Sequence, residues 1–329
     1  MGHYLGGPQY NSDWKGKAEM DFRTTIGDRE AHAALVPVES HEASANLIIG
    51  DAGIPRRTIS TEIAFEGIGI HSGDAAKVIL RPSGAGFVWK LTGKTLGVAD
   101  FNYTDTHTTV ARFSDGDEII CTEHLLSALY LHEISDVEID ISGGKEIPFL
   151  DGSGLDFYLA IKDRVTSLSG PLQRQVSIQK PHIIHGRDGK GYIILLPAHH
   201  LSVECTIDYP MPIGAQYSKL SKLDDPEKVI SARSFIRDPL DRIPLQEAAK
   251  SRLRGLPEVA SSEALILWDS HSVLTTLRHE NEFATHKIVD LLGDLYTINH
   301  RLRLRIIAHR PGHELNRRAA EFLFRGTQQ

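Results

Sequence analysis

The sequence predicts an α+β protein built as two similar α/β-sandwich domains, an internal duplication, and three observations carry that expectation. Segments with a two-residue apolar period alternate with helix-patterned segments. A Ser/Gly/Pro stretch, SLSGPLQ at 167–173, breaks the chain near its middle. Beyond it the order of elements repeats: Ile193–Pro197 matches Val78–Pro82, and THKIVDLLGDLYTI then RLRLRIIA echoes a helix and strand of the first half.

Residues 1–55 are rich in Gly, His, Ser, Glu and Ala without a sustained period, and read as a poorly ordered N-terminal extension. From Arg56 the texture changes, and TISTEIAFEGIGIHSG followed by AAKVILRP predicts two strands around a Gly-rich turn. EHLLSALYLH places apolar residues on a helical face and leads into DVEIDIS, whose alternation marks a half-buried strand. EIPFLDGSG is a turn punctuated by Pro and Gly, and LDFYLAIKDRV is a second helical run. These segments make a first domain over 56–170. A second, over 171–325, opens with VSIQKPHIIHG and YIILLP and carries an insertion at about 220–265, of the kind that often shapes a binding site.

With 329 residues and 41% apolar composition the chain can bury a sizeable core. A formal charge of -7 argues against nucleic acid as a partner, since phosphate binders carry a basic surplus. Cys121 and Cys205 are the only cysteines, so any metal must be held by His and carboxylates. No stretch is long and apolar enough for a transmembrane segment and the N-terminus lacks a secretory pattern, which makes the cytoplasm the expected compartment. The expected partner is a small-molecule substrate.

In THKIVDLLGDL, His286, Asp290 and Asp294 recur at four-residue steps and fall along one helical stripe. A His and a carboxylate one turn apart can reach one ion, and zinc takes both donor types with three protein ligands and an open position at catalytic sites. His124, which opens the corresponding helix of the first half, is the candidate third ligand, and Glu123 beside it is placed to accept a proton from an acidified water. His313 in PGHELN can protonate a departing amine, with Asp294 fixing its tautomer. Lys287 and the hydroxyl of Ser234 in ARSF can steady a developing oxyanion. Against this stand ordinary alternatives. Seventeen histidines make any single one, His71, His132 and His309 included, first an ordinary residue, and a His/Asp pair at this spacing also occurs on surfaces. Glu123 suits a helix start, and Lys287 alone suits a solvated face. Asp290 and Asp294, like charges one turn apart, repel by some tenths of a kcal/mol unless a cation offsets them, which favours function.

GIGIHSG, TEHLLSAL, EIPFLDGSG, TIDYP, ARSF, NEFATHKIVDLLGDL and GHELN, in that order between Arg56 and about Leu323, make the chain resemble the UDP-3-O-acyl-N-acetylglucosamine deacetylases, zinc amidases of lipid A biosynthesis. The resemblance implies two similar α+β domains with the zinc site between them, His124, His286 and Asp290 as ligands of Zn2+, and Glu123 as general base. It gives Lys287, Asp294 and His313 supporting roles, with His71, Phe235 and Lys287 as substrate-binding candidates. Four features depart from the family pattern, the first being the 55-residue leader. Ser234 stands where a Thr is usual, keeping the hydroxyl, and the segment after Phe235 lacks the family's Gly-Phe and Gly-Gly elements. In DTHTTV, polar His107, Thr108 and Thr109 stand where larger apolar residues are common, and unpaired polar groups along an acyl passage would be costly to desolvate.

The function this implies is hydrolysis of the N-acetyl amide of an acylated UDP-glucosamine, releasing acetate. The alternatives are deacetylation of another N-acetyl amino sugar, sugar nucleotide or nucleoside in secondary metabolism, or a catalytically silent binding protein that keeps the fold.

Overall fold

In DVEIDIS every second side chain is apolar, and in the computed structural model that alternation becomes a strand: Val137, Ile139 and Ile141 are fully buried. Glu138 and Asp140, on the opposite face, accept from the Arg81 guanidinium at 3.0 and 3.1 Å. AAKVILRP behaves the same way, burying Ala76, Val78 and Leu80. The structure describes residues 46–97, 99–103, 108–187, 189–237, 254–255 and 263–325.

In chain order the first strands are β1 (Leu47–Ile59), β2 (Ile63–Ile68), β3 (Ala75–Pro82), β4 (Phe87–Leu91), β5 (Lys94–Thr95), β6 (Ala99–Tyr103), β7 (Thr109–Phe113) and β8 (Glu118–Ile120). Helix α1 (Glu123–Leu131), β9 (Val137–Ser142), α2 (Leu155–Lys162), β10 (Val165–Ile178), β11 (His182–His185), β12 (Tyr192–Pro197), β13 (Ser202–Asp208) and β14 (Ala215–Leu220) follow. The remainder is α3 (Pro226–Ile230), β15 (Phe235–Arg237), β16 (Ile266–Trp268), α4 (Glu282–Tyr296), β17 (Arg301–His309) and α5 (His313–Arg325).

A five-stranded sheet has the order β2-β3-β9-β4-β5, with β4 parallel to β9 and the other pairs antiparallel. A seven-stranded sheet runs β1-β10-β17-β12-β11, with β13 joined to β17 and β14 to β13. Small sheets β6-β7-β8 and β15-β16 complete a mixed α+β architecture.

Two helices are buried almost all round, as expected of segments enclosed by other elements. In α1 every residue from Glu123 to Tyr130 is buried, and in α4 every residue except Lys287 is. They pack against each other, with the Ser127 hydroxyl donating to the Val289 carbonyl at 3.0 Å. Gly293 is what allows the close crossing: a Cβ there would lie 1.9 Å from the Glu123 carbonyl oxygen.

Several element-level expectations differ from the structure. SLSGPLQ is not a loop but part of β10, because β1 supplies it with an antiparallel ladder; register shifts around Pro55 absorb the irregular residues. That partner strand begins at Leu47, inside the stretch read as an unstructured extension. LDFYLAIKDRV is helical only to Lys162, and Val165 already belongs to β10. Within the expected insertion lie α3 and β15, while 238–253 and 256–262 fall outside the described residues, as do residues 1–45.

Gly293→Ala is expected to force α1 and α4 apart and to cost about 1–3 kcal/mol, as overpacking of a tight contact does. Urea denaturation measures it, and a variant as stable as the parent would show that the contact yields without cost.

Candidate active site

The stripe expected on THKIVDLLGDL exists, because α4 is a regular helix through that run. His286 and Asp290 meet one turn apart, with Nε2 and Oδ1 separated by 3.2 Å. His124, in the first turn of α1, joins them across the helix crossing, its Nε2 standing 3.6 Å from the same Oδ1. The three ligand-type atoms lie within 4.8 Å of one another and all three residues are buried.

The donor set suits a divalent cation. His286 Nδ1 lies 3.0 Å from the Ala232 carbonyl, which can only accept; Nδ1 therefore carries the proton, and the Nε2 lone pair faces Asp290. Burial, with the neighbouring His124 and Lys287, outweighs Asp290 and keeps the His286 imidazole below its ordinary pKa, in its neutral, ligating form. Burial alone would raise Asp290, but the adjoining His286 and Lys287 and the bond from His124 hold its carboxyl well below the usual range. Burial opposes a charge on His124 as well, yet its bond to Asp290 and the field of Glu123 raise its pKa, so the centre draws positive charge to itself. These residues can hold a metal ion.

Glu123 is placed by Thr108 and by Thr109, the first residue of β7. The Thr108 hydroxyl donates to Oε1 at 2.7 Å and the Thr109 N–H to Oε2 at 3.2 Å. Asp294, one turn beyond Asp290, accepts from His313 Nδ1 at 2.9 Å, from the Asn316 amide at 2.9 Å and from the Thr109 hydroxyl. Burial works against a charged His313, but Asp294 and Asp290 outweigh it and push its pKa up to about 9. Its Nε2 faces Asp290 Oδ2 at 3.9 Å. His313 stands at the first residue of α5 rather than in the turn expected from PGHELN, which puts Asn316 within reach of Asp294.

Lys287 is not the solvated charge its type suggests. It is pinned against the site, donating to Asp290 Oδ2 at 2.8 Å with its ammonium 5.1 Å from the centre of the Phe235 ring. The Ser234 hydroxyl lies 3.2 Å from His286 Nε2 and 3.5 Å from His124 Nε2, beside the point where the ligands converge. Its backbone is fixed on both sides, by its N–H to the Gly152 carbonyl at 2.7 Å and by the Ile266 N–H to its own carbonyl at 2.9 Å. The DGSG turn thereby acquires a role: Gly152 adopts φ +76°, and a Cβ there would meet the Ala264 carbonyl oxygen at 1.6 Å.

These groups open into a cavity of about 320 Å³. Ile70, Phe149 and Leu265 form a small apolar cluster of their own and line one wall. His71 is on the wall too, its Nδ1 2.8 Å from Glu146 Oε1. Glu146 also accepts from the His71 and Ser72 N–H groups, so His71 and Glu146, although of ligand type, are accounted for as the clamp of the GIGIHSG loop, while Cys121 Sγ lies 3.8 Å from Glu123 Oε1.

One expectation is corrected. Thr108 and Thr109 do not present unpaired polar groups to an acyl passage; both are buried, with hydroxyls satisfied by Glu123 and Asp294. His107 lies outside the described residues. Sequence reasoning also missed Glu146, Asn316 and the Arg233–Glu282 pair. Arg233 is 1% exposed, donates from Nε to Glu282 Oε1 at 2.8 Å and from its two terminal nitrogens to the Glu263 and Thr276 carbonyls. It ties the ARSF segment to the first turn of α4. The Arg and Glu were in view in ARSF and NEF, but only a fold says that two distant charges are buried together.

The family model for UDP-3-O-acyl N-acetylglycosamine deacetylase matches residues 56–325. The chain belongs to that family of deacetylases. A UDP-3-O-acyl-N-acetylglucosamine deacetylase of Aquifex aeolicus is 30% identical over 266 residues, 79% of this chain and 89% of its own. One from Geobacter sp. strain M21 is 30% identical over 276 residues, covering 79% and 86%. One from Leptospira biflexa serovar Patoc is 28% identical over 274 residues, covering 80% and 87%. The chain is accordingly a hydrolase.

Arg233→Met leaves Glu282 buried and unpaired, and is expected to destabilise the fold by about 3–5 kcal/mol. Chemical denaturation checks it, and a loss under about 1 kcal/mol would mean that the pair is not the anchor of the ARSF segment.

Proposed function

We propose that this protein hydrolyses the N-acetyl amide of UDP-3-O-acyl-N-acetylglucosamine, releasing acetate and a free amine, with Zn2+ held by His124, His286 and Asp290. The observation that carries this reading is the convergence of those three side chains, from α1 and α4, on one point beside Glu123. We read the halves 56–170 and 171–325 as duplicated units with the metal site between them, and the cytoplasm as the compartment.

A bound zinc ion supplies Lewis acidity, polarising the amide carbonyl and lowering the pKa of a water. Glu123, its two oxygens oriented by Thr108 and Thr109, takes the proton from the attacking water. The carbonyl oxygen gains negative charge as the carbon becomes tetrahedral, and Lys287 and the Ser234 hydroxyl stand beside it. His313, its Nδ1–H held by Asp294, presents Nε2–H and donates that proton to the departing amine. The apolar wall of Ile70, Phe149 and Leu265 suits an acyl chain on the sugar, and Phe235 and His71 line the same space.

Zinc-loaded protein is expected to release acetate from UDP-3-O-acyl-N-acetylglucosamine, and Glu123→Gln to lose about 10²–10⁴ in kcat while keeping its metal. Turnover of only the unacylated sugar nucleotide, or of another N-acetyl amino sugar, would reject the lipid substrate. Absence of acetate release from any N-acetyl sugar with zinc bound would favour the silent binder.

A donor must be protonated, so the His313 contribution is present below its folded pKa and disappears as pH rises through it. That value is about 9 in the field of a metal-free Asp290 and lower once a cation occupies that carboxylate. The rate is therefore expected to fall on the basic side at or below about pH 9. In His313→Gln that fall should vanish along with most of the rate; a persisting basic limb would assign it to another group.

A further inference from the structure

Among the described residues, Thr109 is the one bonded both to Glu123 and to Asp294, the carboxylate that holds His313. Its N–H donates to Glu123 at 3.2 Å, and its carbonyl accepts from the Cys121 N–H at 2.9 Å, fixing the approach to α1. Its hydroxyl turns the other way, donates to Asp294 Oδ1, and stands 3.4 Å from His313 Nδ1. The residue is buried, so the hydroxyl has no water to turn to.

A carboxylate that holds a histidine must be held itself, or it turns about its own Cβ–Cγ bond and carries the ring with it. Asp294 Oδ2 has two donors, His313 and Asn316. Among the described residues, the hydroxyl of Thr109 is the side-chain donor on Oδ1, and it comes from β7 rather than from α4 or α5. Two bonds on one oxygen leave the carboxylate able to swing; a third on the other oxygen, from a strand, stops it.

We propose that Thr109 is a positioning residue for the acid side of the reaction: its hydroxyl locks the Asp294 carboxylate so that His313 keeps Nδ1 protonated and aims Nε2 at the leaving nitrogen. Its backbone holds the base while its side chain holds the acid's partner, so one residue sets the relative placement of the two. The kinetic part rests on the deacetylase reading above, and the spectroscopic part does not.

The test uses the full-length, zinc-loaded protein and the near-isosteric Thr109→Val, which removes the hydroxyl and leaves both backbone links. The imidazole N–H proton of His313, identified by its loss in His313→Gln, should be sharp and downfield in the parent and broaden through solvent exchange in Thr109→Val. kcat should fall about 10–100-fold with KM within about twofold and zinc content unchanged. Thr109→Ser, which restores the donor, should recover both the resonance and most of the rate. In an Asp294→Asn background, Thr109→Val should cost less than about twofold more, because the bond is already altered. A resonance untouched by Thr109→Val overturns the proposal, as does an effect on KM alone or a Ser variant as impaired as Val. Should Thr109→Val fold poorly, the comparison of Thr109→Ser with the parent decides: a lost resonance there overturns it too. Should the parent release no acetate while the resonance behaves as expected, the deacetylase reading fails and this one stands.

Discussion

The close crossing of α1 and α4 is the constraint from which the site follows. A glycine at 293 lets the backbone of one helix reach the Glu123 carbonyl of the other, where any Cβ would collide. Glu123 and His124 begin one helix and His286, Asp290 and Asp294 line the other, so the depth of that contact sets how far the first pair lies from the second. Enclosed on nearly every side, both helices bury charged groups that water would otherwise satisfy, and those groups must find each other.

That enclosure gives the site its electrostatic character. Asp290 is buried beside two imidazoles and an ammonium, and stays ionised because of them. The carboxylates in turn raise the two histidines, Asp290 and Glu123 acting on His124, Asp294 and Asp290 on His313. The Asp290–Asp294 spacing is tolerable because each carboxylate has its own donors, Lys287 on the first and His313, Asn316 and Thr109 on the second. Around this centre the chain places rigid supports: the Ala232 carbonyl on His286, the Gly152 and Ile266 backbone on Ser234, and the Arg233–Glu282 pair under the whole segment.

Much of this was legible before any coordinates. Residues four apart on a helix share a face, so His286, Asp290 and Asp294 announce themselves, and an alternating strand such as DVEIDIS buries one face whatever its partners. Other residues carry no such local sign. SLSGPLQ contains the composition of a loop and becomes a strand only because β1 lies beside it. Thr108 and Thr109 have the look of a polar lining, and only their approach to Glu123 and Asp294 makes them hydrogen-bond donors to buried carboxylates.

The sequence by itself determined the strongly periodic helices and strands such as THKIVDLLGDL and DVEIDIS, the stripe of His286, Asp290 and Asp294, and the family motifs, since each depends on neighbours within a few residues. The tertiary structure alone decided that His124 meets that stripe, that Lys287 is pinned against Asp290, and that a strand threonine bonds both Glu123 and Asp294. Those facts depend on helix separation and on which groups lose water together, and both are properties of packed surfaces from distant parts of the chain.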